Sequence, residues 1–324
     1  MPIQILPDEI ASQIAAGEVV ERPASVVKEL LENALDAGAT HISITIEGAG
    51  KQVIEVADNG SGISADEISL AVTRHATSKL SSSDDLFSIK TLGFRGEALA
   101  SIGSVSRMTI TSRPKEAETG MMLKVDGGQS AEPQPVGAPA GTVIRVEELF
   151  FNVPARLKFL KTDRTERRRI DTLVTRYALA YPQVRFQLRQ EGRSALQTSG
   201  KGDHREVLAT LYGVDVAKQM IEVLAQEDQL RITGFTSPTS LTRSNRREII
   251  FFINGRPVQD IALTTSLVQA YHTLLMVGRY PMAVLFLEMP PEMVDVNVHP
   301  TKAEVRFRDR DHIFRGVGRS VRRA

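Results

Sequence analysis

One predicted helix carries oxygen-bearing side chains that repeat along a single face. Glu29 and Asn33 are four residues apart, which places them on the same side of a helix, and Asp36 follows about one turn later. A carboxylate and a carboxamide aimed at one point can activate a water molecule and ligate a hard cation such as Mg²⁺. The polar side of an ordinary amphipathic helix would give the same residues, so this pair alone does not establish a site.

A second group follows the end of a predicted strand. Asp58 begins the sequence Asp58-Asn-Gly-Ser-Gly62, whose glycines permit positive φ angles and close approach of the backbone to a ligand. The carboxylate of Asp58 could accept a hydrogen bond from an exocyclic amine. An ordinary Asx-type turn is the alternative interpretation.

Phosphate-binding chemistry is indicated by a third group. The segment Gly93-Phe-Arg-Gly96 precedes a predicted helix, whose free backbone N–H groups favour an anion. Shortly before it, Thr77-Ser-Lys79 supplies hydroxyl groups and a cation. The segment is not a Walker A loop, and a flexible loop is the alternative. Together the three groups describe a nucleotide site without a P-loop.

The elements that must position these residues alternate between helical and strand patterns. Apolar spacing predicts a helix over 24–37 and strands over 42–46 and 53–57. A capping box predicts a helix that begins at residue 64 and ends near residue 75. Residues 126–141 are rich in Gly, Pro and Ala, which predicts a loop. The whole pattern indicates two α+β domains in series.

The composition is that of a globular protein. Of 324 residues, 42% are hydrophobic and 24% are charged, which excludes a disordered chain. The chain lacks a run of about 18 apolar residues and a signal peptide, so we expect a cytoplasmic protein with no membrane partner. Because the chain has no cysteine, disulfides, thiol nucleophiles and Cys-ligated zinc are excluded.

The formal charge of +1 hides an asymmetry between the two halves. Residues 1–150 carry 12 basic and 21 acidic side chains, whereas residues 151–324 carry 28 basic and 18 acidic ones. A basic second half suits a polyanion such as nucleic acid. Arginine-rich helices that are simply solvated would give the same counts.

Longer sequence matches make the nucleotide site more specific. The three groups above, together with Gly141-Thr142, resemble the nucleotide-binding motifs of the GHKL ATPases, which include DNA gyrase and histidine kinases. Over essentially residues 1–310 the chain is similar to the MutL family of DNA mismatch-repair proteins. The sequences that carry this resemblance are QIAAGEVVERP at 13–23, RHATSK at 74–79, GFRGEAL at 93–99, LFFNVPAR at 149–156, NGR at 254–256 and VDVNVHPTK at 294–302.

The resemblance implies an α+β fold in two domains. Residues 1–205 would form a GHKL-type α/β sandwich ATPase domain, and residues 206–324 a smaller α/β domain of ribosomal-protein-S5-like type. The first domain would include an N-terminal arm at 1–21 and an ATP lid at about 75–97. The arm would order on ATP binding and reach a second protomer; a helix packed on its own domain is the alternative.

ATP and Mg²⁺ are the implied cofactors. By resemblance, Glu29 is the general base that activates the attacking water, Asn33 ligates Mg²⁺, and Asp58 accepts from the adenine amino group. Gly62 would let the chain pass close to the base, and Thr142 would support the adenine-side hydrogen bonds through water. The residues that would cover the phosphates are Thr77, Ser78, Lys79, Gly93, Phe94, Arg95 and Gly96.

The second domain is implied to complete the nucleotide site and to help bind DNA. Lys302 would reach the γ-phosphate and link ATP to domain orientation, although its sequence alone fits a solvated loop lysine. The family binds double- and single-stranded DNA without strong sequence preference. The candidate DNA contacts are Arg156, Arg164, Arg168, Arg247 and Arg256.

The implied function is DNA mismatch repair by a slow Mg²⁺-dependent ATPase switch. ATP binding would drive homodimerisation through the N-terminal region and coordinate DNA with a mismatch-sensing MutS-type protein, in the bacterial cytoplasm and at the nucleoid. Full-length family members continue to a C-terminal dimerisation domain, which in some is an endonuclease, and nothing similar follows Ala324. We therefore expect ATPase activity, no nuclease activity and no constitutive dimer.

Three other classes of function fit the sequence less well. A GHKL protein kinase needs a phospho-acceptor histidine in a helical dimerisation segment, and no histidine here is predicted to lie in one. A non-hydrolysing DNA scaffold would tolerate loss of Glu29, which is present at the required spacing. A gyrase-like topoisomerase subunit does not match the sequences GFRGEAL and VHPTK.

Overall fold

The computed structural model describes residues 19–79, 91–93, 96–295 and 305–324, together with Pro7, Ile14, Ala16 and Gly17. Its helices are α1 (Pro23–Asp36), α2 (Ala98–Ser104), α3 (Pro154–Phe159), α4 (Asp163–Ala180), α5 (His204–Tyr212), α6 (Val214–Gln219), α7 (Ile261–Ala270) and α8 (Arg310–Arg323). Its first nine strands are β1 (His41–Glu47), β2 (Val53–Asp58), β3 (Arg107–Arg113), β4 (Gly120–Asp126), β5 (Gln129–Ser130), β6 (Gln134–Val136), β7 (Gly141–Glu147), β8 (Arg185–Gln190) and β9 (Arg193–Gln197). The later strands are β10 (Ile221–Glu227), β11 (Leu230–Thr236), β12 (Thr242–Arg243), β13 (Ile249–Ile253), β14 (Arg256–Val258), β15 (Tyr280–Pro281), β16 (Ala283–Glu288), β17 (Val294–Asp295) and β18 (Arg306–Phe307).

The chain divides into two compact units. The first extends to Asp203, and the second runs from His204 to Ala324 and also includes Leu179–Tyr181. The division of roles that we predict for residues 1–205 and 206–324 stays a prediction.

Helix α1 forms because its sequence suits both its start and its buried face. Pro23 occupies the first turn, where its missing N–H costs nothing. Val26, Val27, Leu30 and Leu31 recur at helical spacing and are at most 2% exposed. The helix ends at Asp36, and Gly38, two residues later, turns the chain away with a φ of 71°, a left-handed conformation that glycine adopts easily. The opposite face is left to polar residues.

The first unit is built on one mixed sheet. Its strand order is β5-β4-β3-β7-β2-β1-β8-β9, and β6 also pairs with β4. The β1–β8 pair is parallel, whereas β2 pairs antiparallel with both β1 and β7. Ile42, Ile44 and Ile46 alternate with half-buried residues in β1 and are completely buried. The alternation gives the sheet one apolar face, and α1 lies against β2.

The second unit has a smaller sheet with the order β10-β11-β16-β13-β14, in which β13 and β16 are parallel. Its core combines strand residues such as Phe251 and Leu285 with α7 and α8 residues such as Leu267 and Val317. The sequence prediction of an α+β sandwich followed by a second α/β domain is confirmed.

The prediction of a helix from residue 64 to about residue 75 is wrong. The segment forms turns and a short 3₁₀-helix, Leu70–Val72. The Ser64 hydroxyl bonds to the Glu67 carboxylate at 2.8 Å, so these side chains bond to each other rather than capping a helix. His75 then adopts a φ of 62°, which is incompatible with a continuing helix.

The loop predicted over 126–141 is also partly wrong. This stretch contains the short strands β5 and β6, both of which pair antiparallel with β4. The strands are only two and three residues long, and β6 contains a proline, so no apolar alternation marks them. Pairing with β4, rather than their own composition, makes these two segments strands.

Candidate nucleotide site

An ammonium group occupies the polar face of α1. The Nζ atom of Lys79 lies 2.9 Å from Asn33 Oδ1 and 2.6 Å from Asp36 Oδ2. The Asp36 carboxylate also accepts the backbone N–H groups of Leu92 at 2.9 Å and Gly93 at 3.0 Å. The Asp36 side chain is only 8% exposed. Amide and carboxylate oxygens of this kind are the ligands that Mg²⁺ prefers, so the residues fit a hard cation.

Two glycines keep the neighbouring segments close to this cation. A Cβ atom at Gly93 would lie 3.3 Å from Lys79 Nζ and 3.7 Å from Asn33 Oδ1. Gly96 has a φ of 63°, and a Cβ there would lie 2.4 Å from the carbonyl oxygen of Ala76. Residues near 76 and 96 are thus adjacent, and the lid that we predict over about 75–97 stays a prediction.

The structure describes only some of the other residues that are predicted to cover the phosphates. The Thr77 hydroxyl accepts the backbone N–H of Lys79 at 3.1 Å, and both Thr77 and Ser78 are exposed. Phe94 and Arg95, as well as Lys302, lie outside the described residues, so their roles stay predictions.

Glu29 belongs to a charge cluster on α1 that the sequence did not reveal. Lys28 Nζ lies 2.9 Å from Glu29 Oε1 and 2.9 Å from Glu32 Oε2. Glu32 is buried and also accepts the hydroxyl of Tyr177 at 2.6 Å. Burial lowers the pKa of Lys28, but Glu29 and Glu32 outweigh it and the net pKa is raised above 10.5. Lys28 therefore stays charged and compensates both carboxylates.

Glu29 itself remains accessible. Its side chain is 23% exposed, against 8% for that of Glu32. A carboxylate that is partly exposed and held at one oxygen can still accept a proton from water. The geometry leaves Glu29, rather than Glu32, as the candidate base.

Asp58 and Thr142 are brought together by the sheet. They are direct partners in the β2–β7 register, although they are far apart in sequence. Asp58 Oδ1 accepts the backbone N–H of Gly60 at 2.8 Å. Burial raises the pKa of Asp58 above 3.8, and the N–H groups of Gly60 and Thr142 offset part of that effect. The pair forms a polar position at the end of buried strands.

Thr142 and Gly62 are tied into the same loop region. The buried Thr142 hydroxyl lies 2.8 Å from that of Ser112, which accepts the backbone N–H of Ile63 at 2.8 Å. Gly62 has a φ of 76°, and a Cβ there would lie 2.6 Å from the carbonyl oxygen of Arg113. Glycine is needed at position 62 for a backbone contact within the protein, in addition to any contact with a base.

The five candidate DNA-binding arginines differ in their surroundings. Arg164 and Arg168 are exposed and lie four residues apart on α4, and Arg247 is exposed before β13. Arg156 is half-buried, with its guanidinium 5.8 Å from the ring centre of Phe150, and burial lowers its pKa. Arg256 is half-buried in β14. Arg164, Arg168 and Arg247 are therefore the most accessible of the five, and the DNA contacts of all five stay predictions.

Within the described residues there is neither a clustered metal site nor a membrane-spanning helix. No group of three or more His, Cys, Asp or Glu side chains in that part of the chain could hold a metal ion. None of the described helices is long and apolar enough to cross a lipid bilayer.

Similarity to known families places the first unit in a class of ATPases. The family profile described as "Histidine kinase-, DNA gyrase B-, and HSP90-like ATPase" matches residues 21–144, which include Glu29, Asn33, Asp58 and Thr142. The first unit is therefore a GHKL ATPase domain. The profile described as "DNA mismatch repair protein, C-terminal domain" matches residues 208–324.

Individual relatives identify the family within that class. "DNA mismatch repair protein MutL" of Streptococcus sanguinis is 48% identical over 302 residues, which are 93% of this chain and 47% of that protein. The Staphylococcus saprophyticus protein of the same name is 46% identical over 322 residues, 99% of this chain and 49% of that protein. A solved Aquifex aeolicus MutL ATPase domain complexed with ADP is 32% identical, covering 84% of this chain and 94% of that one with a TM-score of 0.65.

The chain belongs to the MutL family of DNA mismatch-repair proteins. It spans about half the length of the curated relatives that it matches.

Proposed function

We propose that this chain is an ATP-hydrolysing switch in DNA mismatch repair, and that its nucleotide site is the polar face of α1. The observation that carries the proposal is the Lys79 ammonium held by Asn33 and Asp36 beside Gly93. The bound ammonium indicates that the oxygens of Asn33 and Asp36 favour a positive charge, and backbone N–H groups lie beside them. A Mg²⁺–triphosphate complex needs both features.

Within this site each described residue has one role. Asn33 would hold Mg²⁺, which would neutralise phosphate charge. Lys79, whose ammonium lies at Asn33 and Asp36, would pair with a phosphate oxygen. Glu29 orients the attacking water and accepts its proton, with Lys28 balancing the charge of the carboxylate. The Aquifex aeolicus domain complexed with ADP supports nucleotide binding by this fold.

Asp58 and Thr142 form the adenine end of the proposed site. The Asp58 carboxylate accepts from the adenine amino group, and Thr142 supports it from the adjacent strand. Guanine has a carbonyl oxygen at the corresponding position, which would repel the carboxylate. The site therefore prefers ATP to GTP.

Replacing Asp58 with asparagine should remove this preference. Hydrogen bonds to charged groups contribute about 1.5–3 kcal/mol, so ATP affinity should fall roughly 10–150-fold. Burial raises the pKa of Asp58, so this carboxylate becomes protonated at a higher pH than an ordinary aspartate does. As the pH is lowered, the ATP affinity of the wild type should therefore begin to fall earlier than it would with an unshifted aspartate. Equilibrium binding of fluorescent ATP and GTP analogues measures both effects. Asp66→Asn, at an exposed turn residue, is the control, and equal loss in both variants would refute the adenine contact.

The rest of the switch extends beyond the nucleotide site. Lys302 senses the γ-phosphate, and ATP binding drives pairing of two N-terminal regions. DNA binds without sequence preference to exposed arginines that include Arg164, Arg168 and Arg247, which makes its affinity steeply dependent on salt. A MutS-type protein supplies the mismatch signal. Family membership and the basic second half of the chain support these roles.

A further inference from the structure

The second unit contains a groove that the proposed nucleotide site does not use. It lies between α7 and α8 and has a volume of about 1030 Å³. Small and apolar residues of both helices, among them Ala262, Phe314 and Gly318, line it. Five arginines also line it: Arg306, Arg310, Arg315, Arg319 and Arg322.

Close packing of the two helices makes this groove a fixed feature. The Ser266 hydroxyl of α7 donates to the carbonyl oxygen of Phe314 in α8, and a Cβ at Gly318 would lie 3.2 Å from that hydroxyl. The other faces of the helices are committed to the core, where Leu263 and Val317 are completely buried. Because both helices are held from two sides, the groove does not need to form on binding.

An apolar side chain stands open at one end of the groove. Ile261, the first residue of α7, lines the groove and is 83% exposed. The Asp260 carboxylate caps the helix by accepting the backbone N–H of Leu263 at 2.8 Å, which fixes this end. A rigidly presented, solvent-exposed isoleucine is a contact point for another apolar surface.

The charge around the groove is strongly positive. Arg319 pairs with Glu227, but within the described ranges none of the other four arginines pairs with a carboxylate. Arg315, Arg319 and Arg322 recur at helical spacing along one face of α8. Asp260 is the acidic residue of the lining, and its carboxylate is engaged in the cap. The groove therefore combines an apolar floor with a row of arginines.

We propose that this groove docks an acidic amphipathic helix of a partner protein. A helix with an apolar stripe fits a preformed groove between two helices, and its flanking Asp and Glu side chains would form charge-assisted hydrogen bonds with the arginines. A nucleic-acid backbone would satisfy the arginines but has no apolar side chains for the floor. The proposal does not depend on nucleotide binding.

A designed peptide tests the proposal with the full 324-residue chain. The probe is a fluorescein-labelled helix with leucine at i, i+3, i+4 and i+7 and glutamate at most other positions. We expect it to bind with a dissociation constant on the order of micromolar, as measured by fluorescence anisotropy. A peptide of the same composition in scrambled order should bind at least about 10-fold more weakly, because it cannot present a single apolar stripe.

Variants separate this groove from general charge attraction. Arg315→Glu combined with Arg322→Glu should weaken peptide binding on the order of 10-fold or more, and Ile261→Ser should weaken it severalfold. Arg308→Glu combined with Arg323→Glu is the matched control, because both arginines are exposed, neither lines the groove, and the charge changes by the same amount. All variants should match the wild type in far-UV circular dichroism and in melting temperature, which verifies that they fold.

Three outcomes would overturn the proposal. The first is equal binding of the scrambled peptide, which would indicate charge attraction alone. The second is an equal effect of the control pair, Arg308→Glu with Arg323→Glu, and of Arg315→Glu with Arg322→Glu. The third is a fluorescein-labelled oligonucleotide that loses affinity only in Arg315→Glu with Arg322→Glu while the peptide does not bind, since the groove would then be a nucleic-acid site.

Discussion

Replacing Glu29 with glutamine should lower the rate of ATP hydrolysis by about 10²–10⁴-fold, the usual contribution of a general base. Glutamine keeps the shape of glutamate and can still accept from Lys28, which lies 2.9 Å from the Glu29 carboxylate. It cannot accept a proton from the attacking water. ATP affinity should therefore stay within about twofold of wild type, because the loss falls on the transition state rather than on substrate binding.

The matched control for this experiment is Glu32→Gln. Glu32 contacts the same lysine at 2.9 Å but is buried and bonded to Tyr177, so it cannot reach a water molecule in the site. Phosphate release by this variant should stay within about threefold of wild type, and its melting temperature reports any damage to the fold. Similar losses in both variants would mean that the charge balance at Lys28, rather than a base, sets the rate.

Replacing Asn33 with alanine should abolish the Mg²⁺ dependence of ATP binding. The change removes the carboxamide oxygen that now lies 2.9 Å from the Lys79 ammonium. Even the loss of an outer-shell partner of a metal typically costs about 10–100-fold in metal affinity, so loss of a direct ligand should cost at least as much. Calorimetric titration with ATP, with Mg²⁺ and with EDTA, measures the difference.

The variant's own binding in EDTA is the control. Asn33→Ala in Mg²⁺ should bind ATP as weakly as the wild type does in EDTA, and EDTA should have little further effect on the variant. A variant that still gains affinity from Mg²⁺ to the wild-type extent would contradict the ligand role. Lys79→Met provides a second comparison, because it removes the cation that occupies Asn33 and Asp36 before Mg²⁺ binds.

Local sequence was sufficient to predict the helix that carries the site. The apolar residues of α1 repeat at helical spacing, Pro23 favours its start and Gly38 its end, so the face carrying Glu29 and Asn33 followed directly. The alternating isoleucines of β1 are equally local. Spacing and capping signals of this kind report structure within a dozen residues.

Contacts between distant residues were not predictable in this way. Lys79 is 46 residues from Asn33, and Tyr177 is 145 residues from Glu32. Nothing in the local sequence of α4 indicates that the Tyr177 hydroxyl satisfies a buried carboxylate. Such pairs are selected by tertiary packing, and a single sequence carries no record of them.

Helix α8 shows a different reason for a missed element. Arginine dominates its sequence, and this composition by itself does not indicate a helix with a buried face. Ile313, Val317 and Val321 nevertheless recur every four residues and are buried against the second sheet. The excess of basic residues in the second half therefore includes a helix whose apolar side belongs to the core and whose arginines line a groove.

Sedimentation velocity of the chain tests most directly whether ATP acts as a switch. The measurement compares the protein in Mg²⁺ with ADP and with a non-hydrolysable ATP analogue. We predict a monomer with ADP and a dimer with the analogue, and the shift should disappear in Asn33→Ala. A monomer in both nucleotide states would contradict an ATP-driven switch.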